Sequence, residues 1–266
     1  MKKIISIYLV FYSLYISAQI KFSVEYEADY KLTYKSQNTT NSPIKESAFA
    51  LLIGKNESYF KNMNKYVGDS LIVEKKLKET NDPIKNIKSF GPYHTEFPEN
   101  IGITRAKIYV SLSISDKQFK YEEDNNINWK IINEFKKIGT MNCQRAETYK
   151  YGRKWIAYFN EEIPFPYGPY KFSNLPGLII EVFDEKKDYV YTLYKFGKRK
   201  YVCNSANLYT KAKTTTKAKI FDYKRNSMSN PERFNSIIDD PEVLKTLRER
   251  SVQMAKTYNP IELEVD

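Results

Sequence analysis

The chain has 266 residues, of which 41% are hydrophobic and 28% charged, so it can bury a core and is not a disordered protein. Its formal net charge is +11, and it contains 23 Tyr and 15 Phe but only nine Gly. This aromatic content favours half-buried strands, because large rings suit a pleated surface with one wet face.

The N-terminal segment has the pattern of a secretory signal. Lys2 and Lys3 precede an apolar run at 4–16, which is followed by small residues and Gln19. The run is too short and too rich in Tyr and Ser to favour a transmembrane helix, although an uncleaved anchor is the alternative. We predict that residues 1–19 are a signal peptide cleaved near Gln19. The mature protein is then exported to the periplasm or cell surface and has no transmembrane segment.

The net positive charge of the chain indicates which classes of partner it could bind. In an exported protein it matches acidic proteins, anionic lipid headgroups or acidic polymers better than nucleic acid. The densest basic runs, at 198–200 and 211–219, lack the interleaved aromatic residues of a single-strand binder. We therefore predict an envelope protein, peptide, lipid or acidic polymer as partner, and no nucleic acid. A solvated basic surface without a partner is the alternative.

Alternating apolar and polar residues predict strands along most of the chain. Residues 22–32 and 107–114 alternate regularly, and the runs at 143–149 and 154–160 are joined by a tight turn. The run at 178–183 is continuously apolar, as in a strand covered on both faces. Short consecutive strands with tight turns predict an antiparallel meander.

Two regions depart from this pattern. Residues 62–100 are polar and contain several Pro, and only short strands at 71–74 and 84–90 are predicted there. Near the C-terminus, residues 229–232 and 240–242 each place a capping residue before Pro and an acidic residue, which indicates a helix start. An apolar stripe follows the second start, and we expect it to dock on the sheet. The stripe consists of Val243, Leu244, Leu247, Met254 and Ala255.

These elements predict a mainly β protein of the α+β class. The expected architecture is a large curved antiparallel sheet or half-barrel with C-terminal helices. Residues 20–266 form a single β-rich domain, and its helical part covers about 229–258.

Side chains that carry chemistry are scarce. His94 is the only histidine and lies in a Pro-containing loop, where no nucleophile can be placed beside it. The spacings typical of zinc, calcium or phosphate sites do not occur, so we predict no metal, no cofactor and no assigned catalytic residue. Glycosidase chemistry needs two carboxyls across a cleft, and adjacent acids such as Glu161 and Glu162 are more simply turn residues. Glu162 is the remaining candidate, because it begins an unusual segment.

That segment, at 161–177, contains four Pro and two Gly. Proline fixes φ and glycine permits conformations closed to other residues, so the mixture predicts a rigid, shaped loop. Rigid loops on a scaffold often bind ligands. The alternative is a crossover whose aromatic rings plug the end of the sheet. The candidate binding residues are Tyr167, Gly168, Pro169, Tyr170, Phe172, Pro176 and Gly177.

The two cysteines, Cys143 and Cys203, leave two possibilities open. An exported protein can contain a disulfide, but the sequence does not show whether the two Cα atoms approach closely enough. Otherwise, both residues are small buried hydrophobes.

The order of several motifs resembles an exported bacterial family named after its GLPGLI motif. Residues 174–179 read Asn-Leu-Pro-Gly-Leu-Ile and follow the Gly-Pro-Tyr-Lys-Phe sequence at 168–172. Asn174 replaces the first Gly of the motif, and Asn is the next most tolerant residue in left-handed conformations. The resemblance extends to Trp129, Cys143, Ala146, residues 155–163 and residues 259–264. It implies export and a shared β-rich fold, a half-barrel wrapped on helices, but no established reaction.

For the function, we predict an exported, non-enzymatic binding or interaction protein of the cell envelope. The loop at 164–177 would form the lid or rim of a concave aromatic face. The alternative is a carboxylate-dependent hydrolase that acts on an envelope substrate through Glu162 and a distant acid. A scaffold without a small ligand is a third possibility.

Overall fold

The computed structural model describes residues 21–75, 78, 80–114, 117–206, 212–229 and 240–264. The predicted signal peptide at 1–19 lies outside the described residues, as does most of the helix start predicted at 229–232.

Within these ranges, twelve strands form one sheet that does not close on itself. Their order across the sheet is β12-β6-β5-β4-β3-β2-β1-β11-β10-β9-β8-β7, and every pairing is antiparallel except that of β12 with β6. The strands are β1 (Phe22–Tyr34), β2 (Lys45–Ile53), β3 (Glu57–Asn62), β4 (Asn100–Thr104), β5 (Lys107–Ile114), β6 (Lys117–Asp124), β7 (Lys130–Ile138), β8 (Met141–Lys150), β9 (Arg153–Asn160), β10 (Leu178–Asp184), β11 (Tyr189–Cys203) and β12 (Lys213–Thr214). The predicted mainly β class with a large curved sheet is confirmed.

The helices in the described ranges are α1 (Met63–Glu74), α2 (Pro83–Phe90), α3 (Lys217–Ser229) and α4 (Pro241–Thr257). The strands predicted at 71–74 and 84–90 were wrong, because both stretches are helical. The cap that begins α1 is Asn62, whose side-chain oxygen accepts hydrogen bonds from the backbone N–H groups of Asn64 and Lys65 at 3.1 and 3.4 Å. A helix that begins with a side-chain cap of this kind can form without the apolar periodicity by which a helix is recognised in a sequence.

The C-terminal helices differ from the prediction in extent and in packing. Helix α3 begins at Lys217, well before the predicted start at 229, inside a stretch that reads as a basic run. Helix α4 begins as predicted, with Asp240 as its cap. It contacts α3, and Val243 and Met254 of the predicted apolar stripe are exposed.

Both faces of the sheet carry buried side chains, but they belong to two different clusters. We call the face that carries Phe60, Ile101 and Val110, which are paired across β3–β5, the inner face; it holds the main core. The face that carries Tyr59, Gly102 and Tyr109 in the same strands is the outer face. A smaller cluster around Phe22, Leu52 and Tyr59 lies there, with Met63 and Tyr66 of α1 packed against it. Each fully buried large side chain contributes about 1.5–3 kcal/mol.

Among the described residues, no helix is long and apolar enough to cross a membrane.

Candidate functional site

The aromatic rings of the loop at 161–177 point into the protein. Tyr167, Tyr170 and Phe172 are 8%, 9% and 0% exposed, and the Phe172 ring lies 4.6 Å from that of Trp155. Of the seven candidate binding residues, only Pro176 is exposed. The rings therefore fill the inner face, as in the alternative in which the loop plugs the sheet.

Two glycines in this loop are required by close packing. A Cβ on Gly177 would lie 2.0 Å from the carbonyl oxygen of Asn160, and a Cβ on Gly168 would lie 2.6 Å from Cδ1 of Ile179. Asn174 has φ = +72°, so the residue that replaces the first Gly of the motif adopts the left-handed conformation that Asn tolerates. Local geometry, and not ligand contact, explains these residue types.

Hydrogen bonds fix the loop to the connection between β6 and β7. The indole N–H of Trp129 donates to the Ser173 carbonyl at 2.8 Å. The Asn174 side-chain amide donates to the Asn125 carbonyl at 3.0 Å, and the Ser173 hydroxyl donates to Asn125 Oδ1 at 2.8 Å. These hydrogen bonds, together with its buried rings, make the loop part of the inner core.

Lys171, in the middle of this loop, is fully buried within an ion network. Its ammonium lies 2.6 Å from Glu262 Oε1 in the C-terminal tail and 2.8 Å from Glu123 Oε1 on β6. Lys217, at the start of α3, contacts the other oxygen of each carboxylate, at 2.7 Å for Glu262 and 3.2 Å for Glu123. Two cations and two anions from four distant parts of the chain thus neutralise one another.

Tyrosines enclose this network. Lys171 donates to the Tyr121 hydroxyl at 3.0 Å, the Tyr151 hydroxyl donates to Glu123 at 3.2 Å, and the Tyr170 hydroxyl donates to Glu262. The Lys171 ammonium also lies 5.1–5.4 Å from the centroids of these three rings, within the range of cation–π attraction.

The charges of this network shift the pKa values of Glu262 and Lys171 so that both groups stay ionised. Burial by itself would raise the pKa of Glu262, but the charges of Lys171 and Lys217 outweigh it and hold the pKa below its ordinary value. Burial would likewise lower the pKa of Lys171, yet Glu262 and the other surrounding groups raise it well above the usual value. Both groups are thus held in their charged forms, which suits a structural tie better than proton transfer.

Arg153 on β9 ties the C-terminal tail to the sheet at a second point. Its guanidinium donates to Asp184 at 3.1 Å, to the Asn259 side chain at 2.6 Å and to the Pro260 carbonyl at 2.6 Å. The tail is therefore part of the core, and its position explains why Glu262 can reach Lys171.

Glu162 and His94 are both exposed. Glu162 lies in the turn that follows β9. An exposed turn is not the cleft position that the hydrolase hypothesis requires of this carboxylate. His94 follows a short 3-10 turn at Gly91–Tyr93. Its backbone N–H donates to the Gly91 carbonyl at 3.1 Å.

The two cysteines are buried free thiols, so the possible disulfide is not formed in this structure. Cys143 is in β8 and belongs to the main core, and Cys203 ends β11 in the outer-face cluster. Two strands separate β8 from β11, which corresponds to about 14 Å at the usual strand spacing of about 4.8 Å. A disulfide needs Cα atoms less than about 7 Å apart.

Two acidic side chains, Glu27 and Asp29, lie two residues apart on β1. Asp29 is buried, and Lys195 contacts its Oδ2 at 3.4 Å, but its Oδ1 has no hydrogen-bond partner. Burial, and then the charge of Asp29, raise the pKa of Glu27. Glu27 and Asp29 are thus a pair of neighbouring carboxyls on one strand, and Glu162 is not part of this pair.

The outer face of β3–β6 contains a cavity that the sequence did not indicate. Its volume is about 350 Å³. Tyr59, Gly102, Tyr109 and Glu122 form one row across the four strands, because each is directly paired with the next. Asn100, Ser111 and Lys120 form the adjacent row, and Thr214 of β12 completes that side.

Asn100 is the most informative residue of this cavity, which we call the outer cavity. It is 2% exposed, and its amide N–H donates to the carbonyl of Ala206, three residues after the end of β11. Its carbonyl oxygen, Oδ1, has no hydrogen-bond partner. A buried polar atom without a partner is costly, and it needs a structural or functional explanation.

Other polar groups of the outer cavity are also available for a ligand. No hydrogen bond between described residues uses the hydroxyls of Tyr59, Tyr109 or Ser111. Burial, followed by the nearby Glu57, Tyr109 and Cys203, raises the pKa of Tyr59 to about 12, so its hydroxyl is protonated and can donate.

Sequence reasoning missed the outer cavity because its residues come from five strands, β3–β6 and β12. Along any one strand, a residue such as Tyr109 reads as the solvent side of the alternation. Only the register of β3–β6 shows that these side chains are neighbours.

In the part of the chain that the structure describes, no group of three or more His, Cys, Asp or Glu side chains is arranged to hold a metal ion.

The fold and the cavity define an open, mainly antiparallel sheet protein with a pocket on its outer face. Two solved structures of PNGF-II, in the C2 and P21 space groups, are similar, with TM-scores of 0.52 and 0.51 and identities of 14% and 15%. The alignments cover 77% of this chain but only 33% and 34% of those chains, so this chain spans about a third of their length. At this identity the likeness shows the fold alone.

An uncharacterized conserved protein from Thermus thermophilus is a more distant match, with 7% identity, 75% and 93% coverage of the two chains and a TM-score of 0.36. The sequence matches no family model and no curated protein.

Proposed function

We propose that this chain is an exported, non-enzymatic binding protein of the cell envelope and that the outer cavity is its ligand site. The observation that carries the proposal is the buried Asn100 carbonyl oxygen without a partner in a cavity of about 350 Å³. That volume is at the lower end of the range for small-molecule sites, which also combine apolar walls with a few fixed polar groups.

The loop at 161–177 has a supporting role in this proposal. Its rings and Lys171 are part of the inner core, so they hold the sheet in shape but do not contact the ligand. Binding at the outer cavity uses the face of the sheet that the loop does not cover.

The export part of the proposal is supported by the sequence. A basic start, an apolar run and small residues before Gln19 form a secretory pattern. The resemblance to the GLPGLI family points in the same direction and is itself part of the proposal.

Cell fractionation tests export. We expect the protein in the periplasmic or surface fraction, with a mass that lacks residues 1–19. Recovery from the cytoplasm with Met1 retained would contradict the proposal.

Binding is tested by ¹H–¹⁵N NMR spectra of the purified protein during titration with four neutral probes: glucose, N-acetylglucosamine, thymidine and indole. We expect at least one probe to shift backbone resonances around Asn100 and Ser111. The proposal fails if the shifts cluster at the loop at 161–177, or if neither these four probes nor cyclohexanol, hexanoate or inorganic phosphate shifts the resonances of the outer cavity.

A further inference from the structure

We infer that the outer cavity takes a neutral sugar residue, an inference that rests on the proposed function. The class of ligand follows from three properties of the cavity: a flat aromatic wall, a row of uncharged polar groups, and balanced charge at the rim.

The aromatic wall depends on a glycine. A Cβ at Gly102 would lie only 3.0 Å from Cε1 of Tyr59, so the glycine lets this ring lie against the backbone of β4. Phe22 holds the ring from the side in an edge-to-face contact with centroids 4.8 Å apart. Tyr109 lies directly opposite Gly102 in β5 and is 45% exposed. Tyr59 is 8% exposed and forms the floor of the wall, so the accessible aromatic surface is that of Tyr109, and the C–H face of a sugar ring packs well on such a surface.

The polar row lies beside this wall. The Asn100 carbonyl accepts hydrogen bonds, and the hydroxyls of Ser111 and Thr214 both donate and accept. Asn100 and Ser111 are directly paired across β4 and β5, so they are separated by about one strand spacing, roughly 4.8 Å. This separation is comparable with the distance across a six-membered ring. Hydroxyls on opposite sides of one sugar ring can therefore reach both groups.

Charge argues against an ionic ligand. Lys120 and Glu122 bring one charge of each sign to the cavity, and Glu122 lies 3.9 Å from the ammonium of Lys107. A phosphate or carboxylate ligand needs an excess of cations, and a cationic ligand needs an excess of acids. Neither excess occurs among the lining residues that the structure describes.

The Asn100 carbonyl also argues against a purely apolar ligand. An acyl chain would cover Tyr59 and Tyr109 but would leave the buried Oδ1 without a donor, so the polar group would stay unsatisfied. A ligand with an apolar face and O–H donors can pack on Tyr109 and also donate a hydrogen bond to the Asn100 carbonyl.

The test compares five probes by NMR titration of the full protein: methyl β-glucopyranoside, methyl β-N-acetylglucosaminide, cyclohexanol, hexanoate and inorganic phosphate. We expect at least one of the two glycosides to shift the resonances of the outer cavity and to bind at least tenfold more tightly than cyclohexanol. Hexanoate and phosphate should produce no shifts there.

Three variants locate the site. Tyr109→Ala should weaken glycoside binding at least tenfold, and Ser111→Ala should weaken it about threefold. Tyr149→Ala is the matched control, since Tyr149 is a strand tyrosine that is 66% exposed outside the cavity, and it should bind like the wild type. The unchanged dispersion of the spectra shows that each variant is folded.

The possible failures are distinguishable. If cyclohexanol, hexanoate or phosphate binds the outer cavity and neither glycoside does, the sugar assignment is wrong and the cavity remains a binding site. If none of the five probes, nor thymidine or indole, shifts these resonances, both the sugar assignment and the proposed function fail. Equal weakening by Tyr109→Ala and Tyr149→Ala would also overturn the assignment.

Discussion

The inner ion network and the outer cavity differ in how their buried polar groups are paired. On the inner face, Lys171 and Lys217 are both paired with Glu262 and with Glu123. On the outer face, the Asn100 carbonyl is equally buried but has no partner. A network of paired charges stabilises one arrangement of the chain, whereas a polar atom with neither a hydrogen bond nor an ion pair, in a cavity, leaves a place for another molecule.

The comparison also separates two kinds of aromatic residue. The rings of the loop at 161–177 are buried against Trp155 and the network tyrosines, so they contribute to stability. Tyr109 is half exposed at the outer cavity, so its ring is accessible to a ligand. Aromatic richness in the sequence does not distinguish these roles.

The largest expected effect is on the inner face, at Gly177. A Cβ there would lie 2.0 Å from a backbone oxygen, and neither partner can move independently of β9 and β10. We expect Gly177→Ala to cost more than about 4 kcal/mol of unfolding free energy in urea, or to prevent folding.

Gly197→Ala is the matched control, because a Cβ at Gly197 in β11 meets no atom within 4 Å. It should change the unfolding free energy by no more than about 0.5 kcal/mol. Similar losses in both variants would mean that the loop is not closely packed against Asn160.

Phe172→Ala is expected to cost nearly as much. The ring is 0% exposed and packs on Trp155, so its removal leaves a cavity and should cost about 3–5 kcal/mol. Tyr149→Ala should stay within about 0.5 kcal/mol of the wild type in the same denaturation assay. A small loss for Phe172→Ala would restore the loop as a candidate binding surface.

Glu262→Gln tests the ion network. The change removes one anion and leaves two buried cations facing only Glu123, so we expect a loss of about 3 kcal/mol. Glu264→Gln, two residues away on an exposed side chain, should have almost no effect. If the two variants unfold at the same urea concentration, the network does not stabilise the inner face.

The same carboxyl predicts a dependence on pH. Because the folded state lowers the pKa of Glu262 from 4.5, its ionised form stabilises the protein fully above that pH. This stabilisation is lost as pH falls through the lower, folded-state pKa. The difference in unfolding free energy between the wild type and Glu262→Gln should therefore narrow in acid. A constant difference at all pH values would show that charge is not the cause.

Asn174 gives the smallest expected effect. Asn174→Gly keeps the left-handed backbone but loses the side-chain hydrogen bonds to Asn125, at a cost of about 1 kcal/mol. Asn174→Ala also strains the backbone and should cost about 1 kcal/mol more. Equal stability of the two variants, measured by thermal unfolding, would show that the positive φ is not under strain.

The sequence predicted the strands with regular alternation, such as residues 22–32 of β1, because one buried face forces apolar residues to every second position. It also located α4, whose cap at Asp240 is local. It missed α1, since a helix held by the Asn62 cap and by packing on β2 and β3 needs no apolar stripe.

By itself, therefore, the sequence determined the β-rich class and the tolerance of Asn174 for its conformation, because these depend on neighbouring residues. Only the tertiary structure decided that the loop faces inward, that Glu262 pairs with Lys171 and that Asn100 lines a cavity with Tyr59 and Tyr109. Those relations join residues far apart in the chain, and they exist only once strand register and sheet order are set.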